Sequence, residues 1–144
     1  MHFMNPVSLQ SSVEVIRAKL TSAKTLEEVT EINMSLCLEQ IVVNDQPGFV
    51  SNRLSHLFMN EAFNVLQEGV ASEIDIDRIF TECFKHEMGP LATADLIGLD
   101  TVLDSLNVLY KYYGDAKYKP SKLLEGMVKD GRLGKKANNG FYKY

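Results

Sequence analysis

The residue types best suited to moving a proton stand near the amino end: His2 in the apolar run Met1-His-Phe-Met4, and Glu14 in Val13-Glu-Val-Ile16. Both runs read as short strands, and alternation puts Glu14 on the face opposite Val13 and Val15, where it is free to meet a partner. A carboxylate beside an imidazole fixes the ring tautomer and stabilises the protonated form, which is the arrangement of a general base. The plainer alternative is a solvent-facing histidine and a glutamate on a sheet edge. Asn52 is a second point of interest, in Gln46-Pro-Gly-Phe-Val-Ser-Asn-Arg53. There Pro47 and Gly48 end a strand-like run and a helix begins. The Asn52 amide offers a donor and an acceptor to a ligand in a crevice between a sheet-like part and a helical part.

The remaining polar candidates have simpler readings. His56 lies inside a long helical pattern and reads as a packing or interface residue, and His86 as a cation favoured at a helix C-terminus. Asp95, Asp100 and Asp104 fall near expected helix starts, where a carboxylate caps, so no metal site is expected of them. Cys37 and Cys83 are too few and too far apart for a zinc site or a disulfide scaffold, and a reducing, cytoplasmic setting is the default. Gly134 and Gly140 with their neighbouring lysines read as a tail turn, since their spacing fits neither a P-loop nor a dinucleotide fingerprint. G-x-G-x-x-G occurs nowhere in the 144 residues.

The elements that must position these residues fall into two stretches. Residues 1–46 read as three strands, Met1–Met4, Val13–Ile16 and Ile41–Val43, with one helix between the second and third. That helix is expected to start at an N-cap Thr25, with Glu28 completing a capping box, and to end near Leu38. So small a sheet leaves open edges. Residues 47–144 read as all helix: a long helix from Phe49 to Gly69, one capped by Ser72 and carrying Ile76, Ile79, Phe80 and Phe84, and a short one opened by Pro90. Another follows from about Asp100 to Tyr113, and a last one after Pro120-Ser121. Leu54, Leu57, Phe58 and Phe63 put apolar residues on more than one face of the long helix, which suits burial against a second copy in a homodimer. The expected fold is therefore mainly α, a small α/β part followed by an all-α dimerisation domain. A net charge of −4 with scattered basic residues, apart from a loose group at Lys129, Arg132, Lys135 and Lys136, argues against nucleic acid as a partner. No apolar run is long enough to span a bilayer, so no membrane partner is expected.

Several stretches then carry a resemblance: Met1-His-Phe-Met-Asn-Pro6, Val13–Ile16, Val42-Val-Asn-Asp-Gln-Pro-Gly-Phe-Val-Ser-Asn-Arg53, Asn60-Glu-Ala62 and Leu66-Gln-Glu-Gly-Val-Ala-Ser72. To these are added Asp75-Ile-Asp77, Met88-Gly-Pro-Leu91, Ala94-Asp-Leu-Ile-Gly-Leu-Asp100 and Asn139-Gly-Phe-Tyr142. Together they resemble the 3-hydroxyacyl-CoA dehydrogenases, especially the 3-hydroxybutyryl-CoA type, over about the C-terminal half of such an enzyme. The resemblance implies that residues 1–46 are the tail of a Rossmann domain for NAD and that residues 47–144 are the helical substrate and dimerisation domain. It implies interconversion of 3-hydroxyacyl-CoA and 3-oxoacyl-CoA, with His2 as base, Glu14 orienting it, and Asn5 and Asn52 holding the reacting acyl group. NAD would be bound mainly by the absent Rossmann half, or by a separate Rossmann-domain chain, and the isolated chain would be inactive. Cys37 departs from the pattern, standing where a glycine would cap a helix, and so do Leu9–Ser12, Gln40 and Glu87. The alternative function is a non-catalytic dimerisation or acyl-CoA-binding module.

Overall fold

Strand β1 (Ser12–Arg17) and strand β2 (Glu39–Asn44) pair in parallel, with Val13 opposite Gln40 and Val15 opposite Val42. A parallel pair cannot be joined by a tight hairpin, and helix α1 (Ala23–Ser35) makes the crossover. The computed structural model describes residues 1–4 and 7–144. In it the chain forms two units, Met1–Ser51 and Asn52–Tyr144. In the first unit β1 buries Val13, Glu14 and Val15, so both of its faces are covered, whereas β2 shows Ile41 and Val42 to solvent.

Three local expectations change here. The strand expected at Met1–Met4 reduces to one antiparallel bridge between His2 and Glu14, because within residues 1–4 only His2 exchanges backbone hydrogen bonds with Glu14. The sheet is thus two-stranded among the described residues. Helix α1 begins a turn earlier than Thr25: Ser22 is the N-cap, and its hydroxyl accepts from the Thr25 amide at 3.0 Å. It also stops short of Leu38, at Ser35, where Cys37 takes a left-handed φ of 56° and the Leu38 amide donates to the Asn33 carbonyl. That is the helix stop at which glycine is favoured, here held by a residue that bears a β-carbon.

In the second unit α2 (Ser51–Gln67) supplies Met59, Ala62 and Phe63 to a core completed by Ile76, Leu91, Ala94, Leu99, Val102, Leu106, Leu124 and Met127. Helix α3 (Glu73–Arg78), capped by Ser72, runs into a π-helical turn (Ile79–Cys83) closed by the Phe84 amide on the Ile79 carbonyl, so the single helix expected through Phe84 is widened there. Helix α4 (Pro90–Ile97) has proline in its first turn, α5 (Leu99–Tyr113) ends on left-handed Gly114, and α6 (Lys122–Lys129) is capped by Ser121. Arg53 ties the start of α2 to the far end of this unit. Its guanidinium lies 4.4 Å from the Tyr113 ring centroid and donates to the Tyr118 hydroxyl at 2.8 Å.

Two buried aspartates act as connectors. Asp77 accepts from the Leu91 and Ala92 amides at 2.8 and 2.9 Å and so caps α4 from another helix. Asp95 is not near a helix start, as its expected capping role required. It sits within α4, fully buried, and accepts from the Phe141 and Tyr142 amides at 3.0 and 2.9 Å and from the Tyr144 hydroxyl at 3.2 Å. Asp104 lies within α5, while Asp100 is in its first turn and pairs with Lys136. Gly134 and Gly140 belong to the tail turn, where a β-carbon on either would run into Asp95. Asp95→Ala would strand two amides in a dry site, and a loss of about 3 kcal/mol of unfolding free energy is expected for the helical unit, measured by urea denaturation.

Candidate active site

His2 and Glu14 are brought together by backbone before side chains play any part. The His2 amide donates to the Glu14 carbonyl at 2.8 Å and the Glu14 amide to the His2 carbonyl at 3.2 Å, forming a directly opposed antiparallel pair. Residues opposed in this way place their side chains on one face. His2 Nδ1 accordingly lies 3.0 Å from Glu14 Oε2. An ionised carboxylate can only accept, so Nδ1 carries the hydrogen and Nε2 is left with its lone pair. The Phe49 ring, 5.6 Å away by centroids and tilted, packs against the imidazole.

Glu14 is held from a second direction by the turn Gln46–Ser51. Gly48 and Phe49 both take left-handed backbone, at φ 80° and 46°, and for phenylalanine that conformation is strained. The turn delivers the amides of Val50 and Ser51 to Glu14 Oε1 at 2.9 and 3.3 Å, and the Ser51 hydroxyl to Oε2 at 2.7 Å. Both oxygens are therefore supplied, although Glu14 is only 5% exposed. Burial is the largest single influence on its acidity and pushes the pKa up. Hydrogen bonds from His2, the Ser51 hydroxyl and the two amides together outweigh it, and they hold the carboxyl below its ordinary 4.5. Beside the carboxylate is an apolar hollow lined by Met4, Val13, Ile41, Val43 and Val50.

The expected site residues divide accordingly. His2 and Glu14 meet; Asn5 lies outside the described residues; Asn52 stands in the first turn of α2, in the helical unit. Its carbonyl accepts from His56 Nδ1 at 2.8 Å, and His56 is buried, as a packing residue would be. Burial lowers the His56 pKa against a smaller upward pull from the Asn52 carbonyl. Ser51 is a site residue that residue type and spacing do not single out. The signal available was its place two residues after Phe49 in a stretch already marked by Pro47 and Gly48. Among the described residues no cluster of His, Cys, Asp and Glu is arranged to hold a metal ion.

A dinucleotide's pyrophosphate needs a glycine-rich turn from strand to helix. The β1 to α1 connection, Ala18-Lys-Leu-Thr-Ser22, has no glycine, and Gly48 is the one glycine of the first unit. These residues do not fit a phosphate cradle. What they do fit is proton transfer at Nε2 of His2. Because the Glu14 pKa is lower in the fold than in the open chain, its stabilising contribution is complete at neutral pH and is lost as the pH falls from about 4.5 through the depressed folded value. Acid unfolding of Glu14→Gln followed by circular dichroism should show that part of the pH dependence removed.

Residues 1–46 match the family model for the 3-hydroxyacyl-CoA dehydrogenase NAD binding domain, and residues 48–144 match that for the C-terminal domain of the same enzymes. Over all 144 residues the chain is 51% identical to a probable 3-hydroxybutyryl-CoA dehydrogenase of Deinococcus radiodurans, of which it covers 52%. It is 46% identical to the 3-hydroxybutyryl-CoA dehydrogenase of Clostridioides difficile, covering 51%. The crystal structure of (S)-3-hydroxybutyryl-CoA dehydrogenase from Ralstonia eutropha superposes with a TM-score of 0.96 at 45% identity, over 100% of this chain and 51% of that one. The chain thus spans about half the length of the curated relatives it matches. With one family model over 1–46 and the other over 48–144, the chain belongs to the 3-hydroxyacyl-CoA dehydrogenase family.

Proposed function

We propose that this chain supplies the proton-handling and helical part of an NAD-dependent 3-hydroxyacyl-CoA dehydrogenase acting on short acyl chains of the 3-hydroxybutyryl-CoA kind. The observation that carries the reading is the His2–Glu14 pair, with Nδ1–H directed to a saturated carboxylate and Nε2 left as the base. In the oxidative direction Nε2 takes the proton of the 3-hydroxyl, and the imidazolium so formed is stabilised by Glu14. In the reductive direction the same nitrogen returns the proton to the carbonyl oxygen. Hydride chemistry belongs to NAD, held by residues other than the ones described above. Asn5 and Asn52 are assigned to the acyl group on the strength of the family resemblance. The protein partner in this reading is a second copy of the chain, through the helices after Asn52, where Leu54, Val108 and Tyr112 are exposed. Free, exposed Cys37 and Cys83 suit a reducing compartment, and the cytoplasm is the proposed location.

NADH oxidation with acetoacetyl-CoA tests the function. The 144-residue chain alone is expected to be inactive, turnover is expected when the family's nucleotide-binding half is joined to it, and His2→Ala in that assembly should cost on the order of 10²- to 10⁴-fold in kcat. Equal turnover by His2→Ala would remove His2 from the chemistry. Absence of turnover in the joined protein would leave the non-catalytic acyl-CoA-binding module as the better reading. For the dimer, sedimentation at roughly tens of micromolar should give twice the chain mass, and monomer alone would contradict it.

A further inference from the structure

We propose that Ser51 is a positioning residue whose hydroxyl keeps Glu14 a carboxylate aimed at the imidazole whether or not His2 carries its second proton. The inference rests on His2 being the base and concerns what holds its partner ready. Three polar atoms form a closed triangle: Ser51 Oγ to Glu14 Oε2 at 2.7 Å, His2 Nδ1 to the same oxygen at 3.0 Å, and Ser51 Oγ to His2 Nδ1 at 3.3 Å. A hydroxyl has one hydrogen, and the shorter contact to an ionised acceptor takes it. The hydroxyl's lone pairs then face Nδ1, so Nδ1 meets acceptors on both sides and must itself be the donor.

The need for such a device follows from the surroundings. Among the described residues His2 is the titratable group that faces Glu14. On β2 the register partner of Glu14 is Ile41, and the neighbouring hollow is lined by Ile41 together with Met4, Val13, Val43 and Val50. Among the described residues no lysine or arginine is paired with it, and an imidazole acting as a base is neutral before it accepts a proton. In that state a buried carboxyl would tend to take up a proton. A protonated Glu14 could then donate to Nδ1, which would move the ring hydrogen to Nε2 and abolish the base. Donors that do not titrate prevent this. Two of them are the amides of Val50 and Ser51, which any side chain would leave in place; the third is a hydroxyl, which depends on the side chain at position 51.

The test follows the side-chain carboxyl of ¹³C-labelled Glu14 by NMR as the pH is lowered, in the 144-residue chain and in Ser51→Ala, Ser51→Thr and Ser51→Val, with thermal melts as the check on folding. The Thr and Val variants are matched in shape and differ in the hydroxyl, so they decide the matter even if Ser51→Ala does not fold. The Glu14 midpoint is expected to move to higher pH in Ala and Val and to return toward the native position in Thr. The same upward movement is expected when Ser51→Ala is made in a His2→Ala background, because the hydroxyl acts on Glu14 directly. Coincident midpoints in Thr and Val would overturn the proposal, as would an effect that vanishes once His2 is removed. A failure of the dehydrogenase reading appears in turnover and leaves this titration unmoved, so the two outcomes are separable.

Discussion

A carboxylate withdrawn from water must be given donors or it will not stay charged. Glu14 meets that requirement with four: an imidazole N–H from the segment before it, and a hydroxyl and two amides from the turn after β2. The first unit is arranged around that demand. β1 must carry the glutamate at a position where the opposing residue is His2, and the chain leaving β2 must turn sharply enough to aim its amides inward. The left-handed pair Gly48 and Phe49 performs the turn, at a conformational cost that the bonds to Glu14 offset.

The same device recurs in the second unit with a different purpose. Asp77 and Asp95 are buried acceptors for backbone amides that no helix or strand satisfies, and they fasten α4 and the tail where apolar packing alone would allow sliding. Their close approach explains Gly89 and Gly140, at which a β-carbon would collide with the aspartate opposite. The tail is fastened further by Tyr142, whose hydroxyl donates to Asp77 at 2.8 Å, and by Tyr144; burial and the neighbouring carboxylates raise the pKa of both phenols. What distinguishes Glu14 from these structural acceptors is its titratable neighbour with a free nitrogen. A buried carboxylate that meets amides and phenol hydroxyls fastens the chain, whereas one that meets an imidazole N–H also fixes the tautomer of that ring.

Much of the fold is legible in the sequence. Helical periodicity located α2, α5 and α6, Pro90 marked the start of α4, and Ser72 and Ser121 were read as helix starts, because these signals depend on neighbours within a turn or two. Errors fell where a local signal had a competitor. Thr25 has the look of a cap, but Ser22 lies one turn earlier and its hydroxyl accepts from the Thr25 amide. Asp95 looked like a cap because aspartates often are, and its real partners are more than forty residues away in sequence. The widening at Ile79–Cys83 leaves no mark on the apolar pattern.

By itself the sequence determined which residues could move a proton and in what order the elements run: His2, Glu14, the turn at Pro47-Gly48 and the helices after it are matters of residue type and short-range spacing. Tertiary structure decided that His2 and Glu14 meet through a single backbone bridge. It also decided that Ser51, thirty-seven residues beyond Glu14, completes the carboxylate's shell. The reason is range. Propensity and periodicity report on atoms a few bonds away, whereas hydrogen bonds to a buried charge are chosen by whichever donors the folded chain brings within about 3 Å.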